Sequence, residues 1–355
     1  MKKGLLALVA FSVVAALGFL TGRRVTIASI ERQLSENRQN TLSGGVSLAD
    51  VFATDEKRKE ASACFLDGPK AATRFQDFSW APPVVPVPFV GFGPRPGRHL
   101  DCFVTPLLLR SEKDPVSPRP AGLKRVFLVG GSVAFGSGAP SQDRTIGAYL
   151  ERLLGPGHEV FTLAYPWWTS THERILIENR VAALEPDLVI VLSGVNDVRE
   201  ALLGKDVRWM RTRVDDFFFE RLREDHELAG FPGLEDTVPP GKTPPPPEQV
   251  AARIRANLEQ EEHALPGKLR FLLQPTVFAT KKPLTARERA IRDDPGNSVA
   301  RDYFERAYAA IRAVPGVRDA TDAFDGASED VFLDTAHCAD RGNELLARPI
   351  AALVR

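Results

Sequence analysis

Three short stretches of the chain carry side chains that could do chemistry. Gly130-Gly131-Ser132 presents a hydroxyl on an uncrowded turn. Val331-Phe-Leu-Asp334-Thr-Ala-His337 holds a carboxylate three residues before an imidazole. Gly194-Val-Asn196-Asp197 adds an amide beside a second carboxylate. A serine hydroxyl is a poor nucleophile until a base takes its proton, and His337 is the candidate base. Each stretch also has a plainer reading. Ser132 can be a turn serine at a strand end. Asp334 or Thr335 can cap the final helix, with His337 in its first turn. Asp197, beside Asn196, reads as a cap for the segment after it rather than as a proton donor.

The elements that must position these groups follow from the apolar pattern. Val126-Phe-Leu-Val129 runs straight into the two glycines, which reads as a fully buried strand. Ser132 then lies just past its carboxyl end, where open α/β sheets bind ligands. A helix is predicted over residues 143–154, with apolar residues at Ile146, Tyr149, Leu150, Leu153 and Leu154. Further strands are predicted over 159–165, 187–193 and 269–274, and further helices over 170–184, 248–264, 298–313 and 340–354. Alternating strands and helices predict a parallel sheet covered on both faces.

Taken in order, the three stretches resemble the sequence blocks of the SGNH (GDSL-like) hydrolase family. Its first block, Gly-Asp-Ser, matches Gly130 to Ser132. Its third, Gly-x-Asn-Asp, matches Gly194 to Asp197. Its fifth, Asp-x-x-His, matches Asp334 to His337. The resemblance covers roughly residues 120–355 and implies a three-layer α/β/α, flavodoxin-like domain with a parallel sheet. It implies Ser132 as nucleophile, His337 as base and Asp334 as the holder of the imidazole Nδ1–H. It implies an oxyanion hole built from the Asn196 side chain and the backbone N–H groups of Ser132 and Trp167. There are two departures. Gly131 replaces the first-block acid, a change expected to cost little. Trp167, in Leu163-Ala-Tyr-Pro-Trp167-Trp168-Thr169-Ser170, stands where the second block has glycine. Any residue except proline supplies the N–H, but the local backbone geometry is then an open question. Two adjacent tryptophans cannot both face inward on a strand. At least one is expected at the surface or the site, where such rings pack on sugar faces or acyl chains.

The expected activity is a serine esterase acting through an acyl-serine, on an acyl-ester small molecule or an envelope glycan. Two other readings remain open at this point. One is a glycan O-acetyltransferase using the same residues, and the other is an inactive SGNH-like binding or assembly protein. A nucleotide-binding flavodoxin-like domain is excluded, because the 130–136 turn has no phosphate-loop pattern.

Composition bounds the rest. The chain has 355 residues, with 46 Lys plus Arg against 46 Asp plus Glu. That balance gives no electrostatic reason to expect nucleic acid as a partner. Three cysteines are too few for a disulfide scaffold. Cys64 and Cys102 could pair in an oxidising compartment, and Cys338 reads as a small buried residue. His99, His158, His172, His226 and His263 sit in loops or on polar helix faces without a partner at ligand spacing, and His172 is read as solvated, so neither a metal nor a cofactor is expected. Residues 1–22, a basic start with a long apolar run, are expected to form an uncleaved signal anchor carrying an exported domain; a cleaved signal peptide is the competing reading. Residues 23–120 are read as a stalk and a proline-rich accessory region, and 121–355 as the hydrolase domain. An insertion at about 200–250 holds Phe217 to Phe219 and the tract Pro244 to Pro247, read as a stiff solvated segment.

Overall fold

Val126 to Val129 are each exposed by 1% or less, which requires a strand covered on both faces. They lie in β5 (Lys124–Gly130) of a computed structural model that describes residues 48–74, 82–204 and 243–355. β5 pairs in parallel with β6 (His158–Ala164) on one side and β7 (Leu188–Ser193) on the other. β8 (Leu269–Leu273) and β9 (Val317–Asp319) continue the sheet, whose strand order is β6-β5-β7-β8-β9. This is the doubly wound order that reverses between the first and third strands. A crevice opens there, at the carboxyl ends of β5 and β7.

Helices cover both faces, as expected. α5 (Ile146–Leu154) and α11 (Asp340–Val354) pack together on one side. α6 (Ser170–Leu176), α8 (Pro247–Ala264) and α10 (Ser298–Arg312) pack on the other, with α7 (Val195–Leu202) touching both α8 and α10. α5 starts at Ile146, the first residue of its apolar pattern, rather than at the predicted 143, because Thr145 caps it by accepting from the Ala148 N–H at 3.2 Å. α6 ends early, passing into a π turn (Ile177–Val181) and a 3₁₀ turn (Ala182–Leu184). The proline tract ends as helix start: Pro247 is the first residue of α8, where its missing N–H costs nothing. Tyr303 holds the tract by donating to the Pro245 carbonyl at 2.8 Å.

The region before β5 is regular in part. α1 (Leu48–Val51), α2 (Asp55–Ala61) and α3 (Pro69–Arg74) are followed by two antiparallel hairpins, β1 (Val84–Val87) with β2 (Gly91–Pro94) and β3 (Gly97–His99) with β4 (Cys102–Val104). The three cysteines are buried free thiols. Cys64 donates to the Phe332 carbonyl at 3.4 Å, and Cys102 lies in β4, so the pairing considered for them does not occur. Burial pushes the Cys64 thiol up to about 12, and raises Cys102 and Cys338 as well. Among the described residues no helix is long and apolar enough to cross a membrane. The expected anchor, Phe217 to Phe219 and His226 lie outside the described residues.

The interface of α6 with α8 encloses acids. Glu261 is 1% exposed and neither carboxyl oxygen has a hydrogen-bond partner. Burial pushes its pKa well up, with Arg174 opposing and Glu178 and Asp197 adding to the rise. Glu173 is raised in the same way, by burial and then Asp197. A carboxyl that keeps its proton in the fold but loses it when unfolded weakens the protein as pH rises above its unfolded value. Glu261→Gln is therefore expected to raise the urea midpoint at neutral pH, with the gain shrinking as pH falls toward the ordinary glutamate value of 4.5.

Candidate active site

The carboxyl end of β5 turns through Gly131 into α4 (Ser132–Phe135), one helical turn closed by Gly136 at φ +83°. Ser132 is its first residue, so its N–H has no intrahelical acceptor. The other end of α4 is held by Arg110, whose guanidinium donates to the Phe135 and Gly136 carbonyls at 2.7 and 2.9 Å and lies 4.7 Å from the Phe135 ring centroid.

The second wall comes from far along the chain. After β9 the backbone runs through a loop whose pairing is a single bridge between Phe332 and Cys338. This loop brings His337 Nε2 to 2.8 Å from Ser132 Oγ. His337 Nδ1 lies 2.7 Å from Asp334 Oδ2. Asp334 Oδ1 accepts from the backbone N–H of Ala336 at 2.8 Å and of His337 at 2.7 Å. Burial alone would raise the Asp334 pKa. The charge of His337, its hydrogen bond and the two backbone N–H groups outweigh burial and hold the carboxyl below its usual value. An ionised Asp334 keeps the ring proton on Nδ1, which leaves Nε2 to accept from the Ser132 hydroxyl. The capping reading of Asp334 fails for the final helix: α11 begins at Asp340, with Ala339 at its cap position.

Three supports fix that loop. Gly138 lies against the Cys338 carbonyl too closely for any β-carbon. The Val277 N–H donates to the Thr335 carbonyl at 3.0 Å. From α9 (Ala286–Arg292), Glu288 accepts from Val331 and Phe332 N–H, and Arg287 donates to the Phe332 and Leu333 carbonyls. Glu288 is itself paired at 2.5 Å with Lys282, and both side chains are fully buried. α1 to α3 cover the outside of the loop, with Leu48, Val51, Cys64 and Phe65 packed against Leu333 and Ala339.

The third wall is the segment between β6 and α6. Asn196, on the first turn of α7, donates from Nδ2 to the Trp168 carbonyl at 2.7 Å. Trp168 is fully buried and donates from Nε1 to the Phe92 carbonyl of β2 at 3.0 Å. Trp167 is half-buried, packed against the core and beneath the Arg199 guanidinium at 5.3 Å. The backbone of Trp167 is left-handed, at φ +72°. The glycine conformation is thus kept without the glycine, at a cost of about 1–2 kcal/mol.

The sequence of this fold and site decides the family. The profile of the GDSL-like Lipase/Acylhydrolase family matches residues 128–345, more than half of the chain. The chain is a GDSL-like lipase/acylhydrolase. As a member it is an ester-hydrolysing enzyme. No curated protein matches the acylhydrolase in sequence. Among solved structures, a lipase from a goat rumen metagenome is 12% identical, with a TM-score of 0.39 over 64% of this chain and 96% of its own. A lipase/acylhydrolase from Enterococcus faecalis is 17% identical, with a TM-score of 0.37 over 65% and 95%. A carbohydrate acetylesterase from Sinorhizobium meliloti is 14% identical, with a TM-score of 0.38 over 65% and 98%.

Two sequence expectations for the acylhydrolase need correction. His172 is buried, not solvated: it closes a capping box with Thr169, its Nδ1 accepting from the Thr169 N–H at 3.2 Å, and its ring meets Phe92 edge-on at 5.3 Å. Its helix face looked polar because the accessory hairpin that covers it is remote in sequence. Asp197 does not cap its own helix. Its carboxylate accepts from the N–H of Ser170, at 3.1 Å to Oδ2, and from the Ser170 hydroxyl at 2.5 Å. That ties the start of α6, and the Trp167 turn before it, to the helix carrying Asn196. Gly131 faces the Asn196 amide: a β-carbon there would sit 2.6 Å from Nδ2, the movable end of that side chain. Among the described residues, no group of three or more His, Cys, Asp or Glu could hold a metal ion.

Gly131→Asp would complete the family tripeptide, and the movable end of the Asn196 side chain yields to its β-carbon. It is expected to lower kcat for ester hydrolysis by less than about 10²–10³, the cost of losing one oxyanion donor. Steady-state kinetics with circular dichroism as the folding control checks this.

Proposed function

We propose that this enzyme is a serine esterase that works by double displacement through an acyl-serine at Ser132. The observation that carries the reading is the unbroken hydrogen-bond chain from Asp334 through His337 to Ser132 Oγ. His337 Nε2 takes the hydroxyl proton as Oγ attacks the ester carbonyl carbon. Asp334 stabilises the imidazolium and holds its tautomer. Negative charge then develops on the former carbonyl oxygen. Asn196 Nδ2 carries two protons, one committed to the Trp168 carbonyl; the second serves that oxygen, with the N–H groups of Ser132 and Trp167. Collapse of the tetrahedral adduct expels the alkoxide, which takes its proton from His337. A water molecule, deprotonated by His337, attacks the acyl-serine and releases the carboxylic acid and Ser132. The basic start and apolar run at the N-terminus support an exported, membrane-anchored enzyme, for which an O-acyl group on an envelope glycan is a fitting ester.

The first test treats the full chain with a fluorophosphonate and reads intact mass. One adduct is expected, absent from Ser132→Ala, and its absence from the folded wild type would overturn the nucleophile assignment. Asp334→Asn is expected to lower kcat far more than it changes KM, because the defect lies in the transition state.

A further inference from the structure

Arg110 lies outside the stretch that matches the family, which begins at residue 128. Its backbone bridges Val104, at the end of β4, and Thr162 of β6, so it continues the accessory hairpin to the edge of the sheet. From there its side chain crosses to the carboxyl end of α4. Nη1 donates to the Phe135 and Gly136 carbonyls, and Nε donates to Gln142 Oε1 at 3.1 Å. The contact is close: a β-carbon at Gly136 would come within 3.2 Å of Nη1. Arg110 is buried, its Nη2 has no hydrogen-bond partner, and among the described residues no carboxylate forms an ion pair with it. Burial pushes its pKa down, and only the Cys102 thiol opposes that. A cation taken out of water without a counter-ion is costly. Such a cost points to a use that a neutral side chain would not serve.

We infer that Arg110 is a positioning residue of the esterase: its guanidinium, supplied from the accessory region, fixes α4 so that the Ser132 hydroxyl and N–H stay aimed at the reacting ester. α4 is a single turn, and one turn does not hold itself in water. Ser132 is its first residue and Phe135 its last, so a tether at Phe135 and Gly136 sets the tilt of Oγ toward His337 Nε2. A misplacement of about 1 Å costs as much as about 10²-fold in rate. The working enzyme therefore reaches back past residue 121, into the region read from sequence as accessory. The inference rests on the acyl-serine reading and deepens it.

The experiment uses the full chain as wild type, Arg110→Met and Arg110→Ala, each assayed below its own melting temperature by circular dichroism. Methionine fills the volume of the stem without the charge. Arg110→Met is expected to lower kcat for 4-nitrophenyl acetate by about 10-fold to 10²-fold with KM nearly unchanged, and to slow the fluorophosphonate adduct by the same factor. Alanine opens a way in for a free cation, because Arg110, Gln142, Thr145 and Thr162 line a cavity of about 660 Å³ rimmed by the exposed Glu112, Lys113 and Asp143. Millimolar guanidinium is therefore expected to restore kcat in Arg110→Ala, and sodium chloride is not. Wild-type kcat in folded Arg110→Met would overturn the assignment, and so would a loss carried by KM. No restoration by guanidinium, or equal restoration by sodium chloride, would also overturn it. A wild type with neither turnover nor adduct would instead bring down the acyl-serine reading, and the positioning role with it.

Discussion

A hydroxyl and an imidazole 205 residues apart in sequence meet at 2.8 Å, and the rest of the architecture serves that contact. The serine end is easy to hold, because a buried parallel strand delivers it and Arg110 closes the helical turn behind it. The histidine end is harder. It rides on an extended loop with one bridge of its own, so side chains must supply what a sheet would have supplied. Glu288 does this by accepting two loop N–H groups. Burial would raise its pKa, but the Lys282 ammonium and the backbone N–H groups outweigh burial and keep it below the usual glutamate value. A buried pair of this kind is weak evidence of net stability, since desolvation offsets most of the attraction. Its value here is positional: a charged carboxylate held by lysine fixes the loop backbone two residues before Asp334.

The accessory region completes the support from two directions. α1 to α3 press on the loop that carries the acid and the base. The β1–β2 hairpin anchors the opposite wall, because Phe92 receives the Trp168 indole N–H and packs beside Tyr165 and His172. Between the walls, Asp197 joins the starts of α6 and α7 through Ser170, and Asn257 donates to the same Ser170 hydroxyl at 2.8 Å. Residues with no chemical part to play therefore set the distances among those that have one.

Much of this was legible in the chain. Apolar runs such as Val126–Val129 and Val189–Leu192 are fully buried strands, and such strands announce themselves because both faces need apolar side chains. The block residues sit at the ends of those runs, so the crevice and its serine, amide and imidazole could be named from sequence. β9 was not legible. It is three residues long, at the sheet edge, with Arg318 exposed, and nothing in Val317-Arg-Asp319 alternates long enough to register. α9 lacked an apolar stripe because its work is polar, done by Arg287 and Glu288. The burial of His172 and the conformation of Trp167 depend on neighbours remote in sequence or on backbone torsion. Composition carries neither, although the position of Trp167 within its block was the signal that something there departs from the rule.

The thiols bear on where such a protein can exist. Cys64, Cys102 and Cys338 are buried, unpaired and raised in pKa by that burial, so little thiolate is present to exchange or oxidise. No covalent cross-link among the described residues holds the accessory helices or hairpins in place; apolar packing and hydrogen bonds do. The fold is consequently indifferent to redox potential. It can be assembled under the reducing conditions of synthesis and meet an oxidising environment later without rearranging a bond.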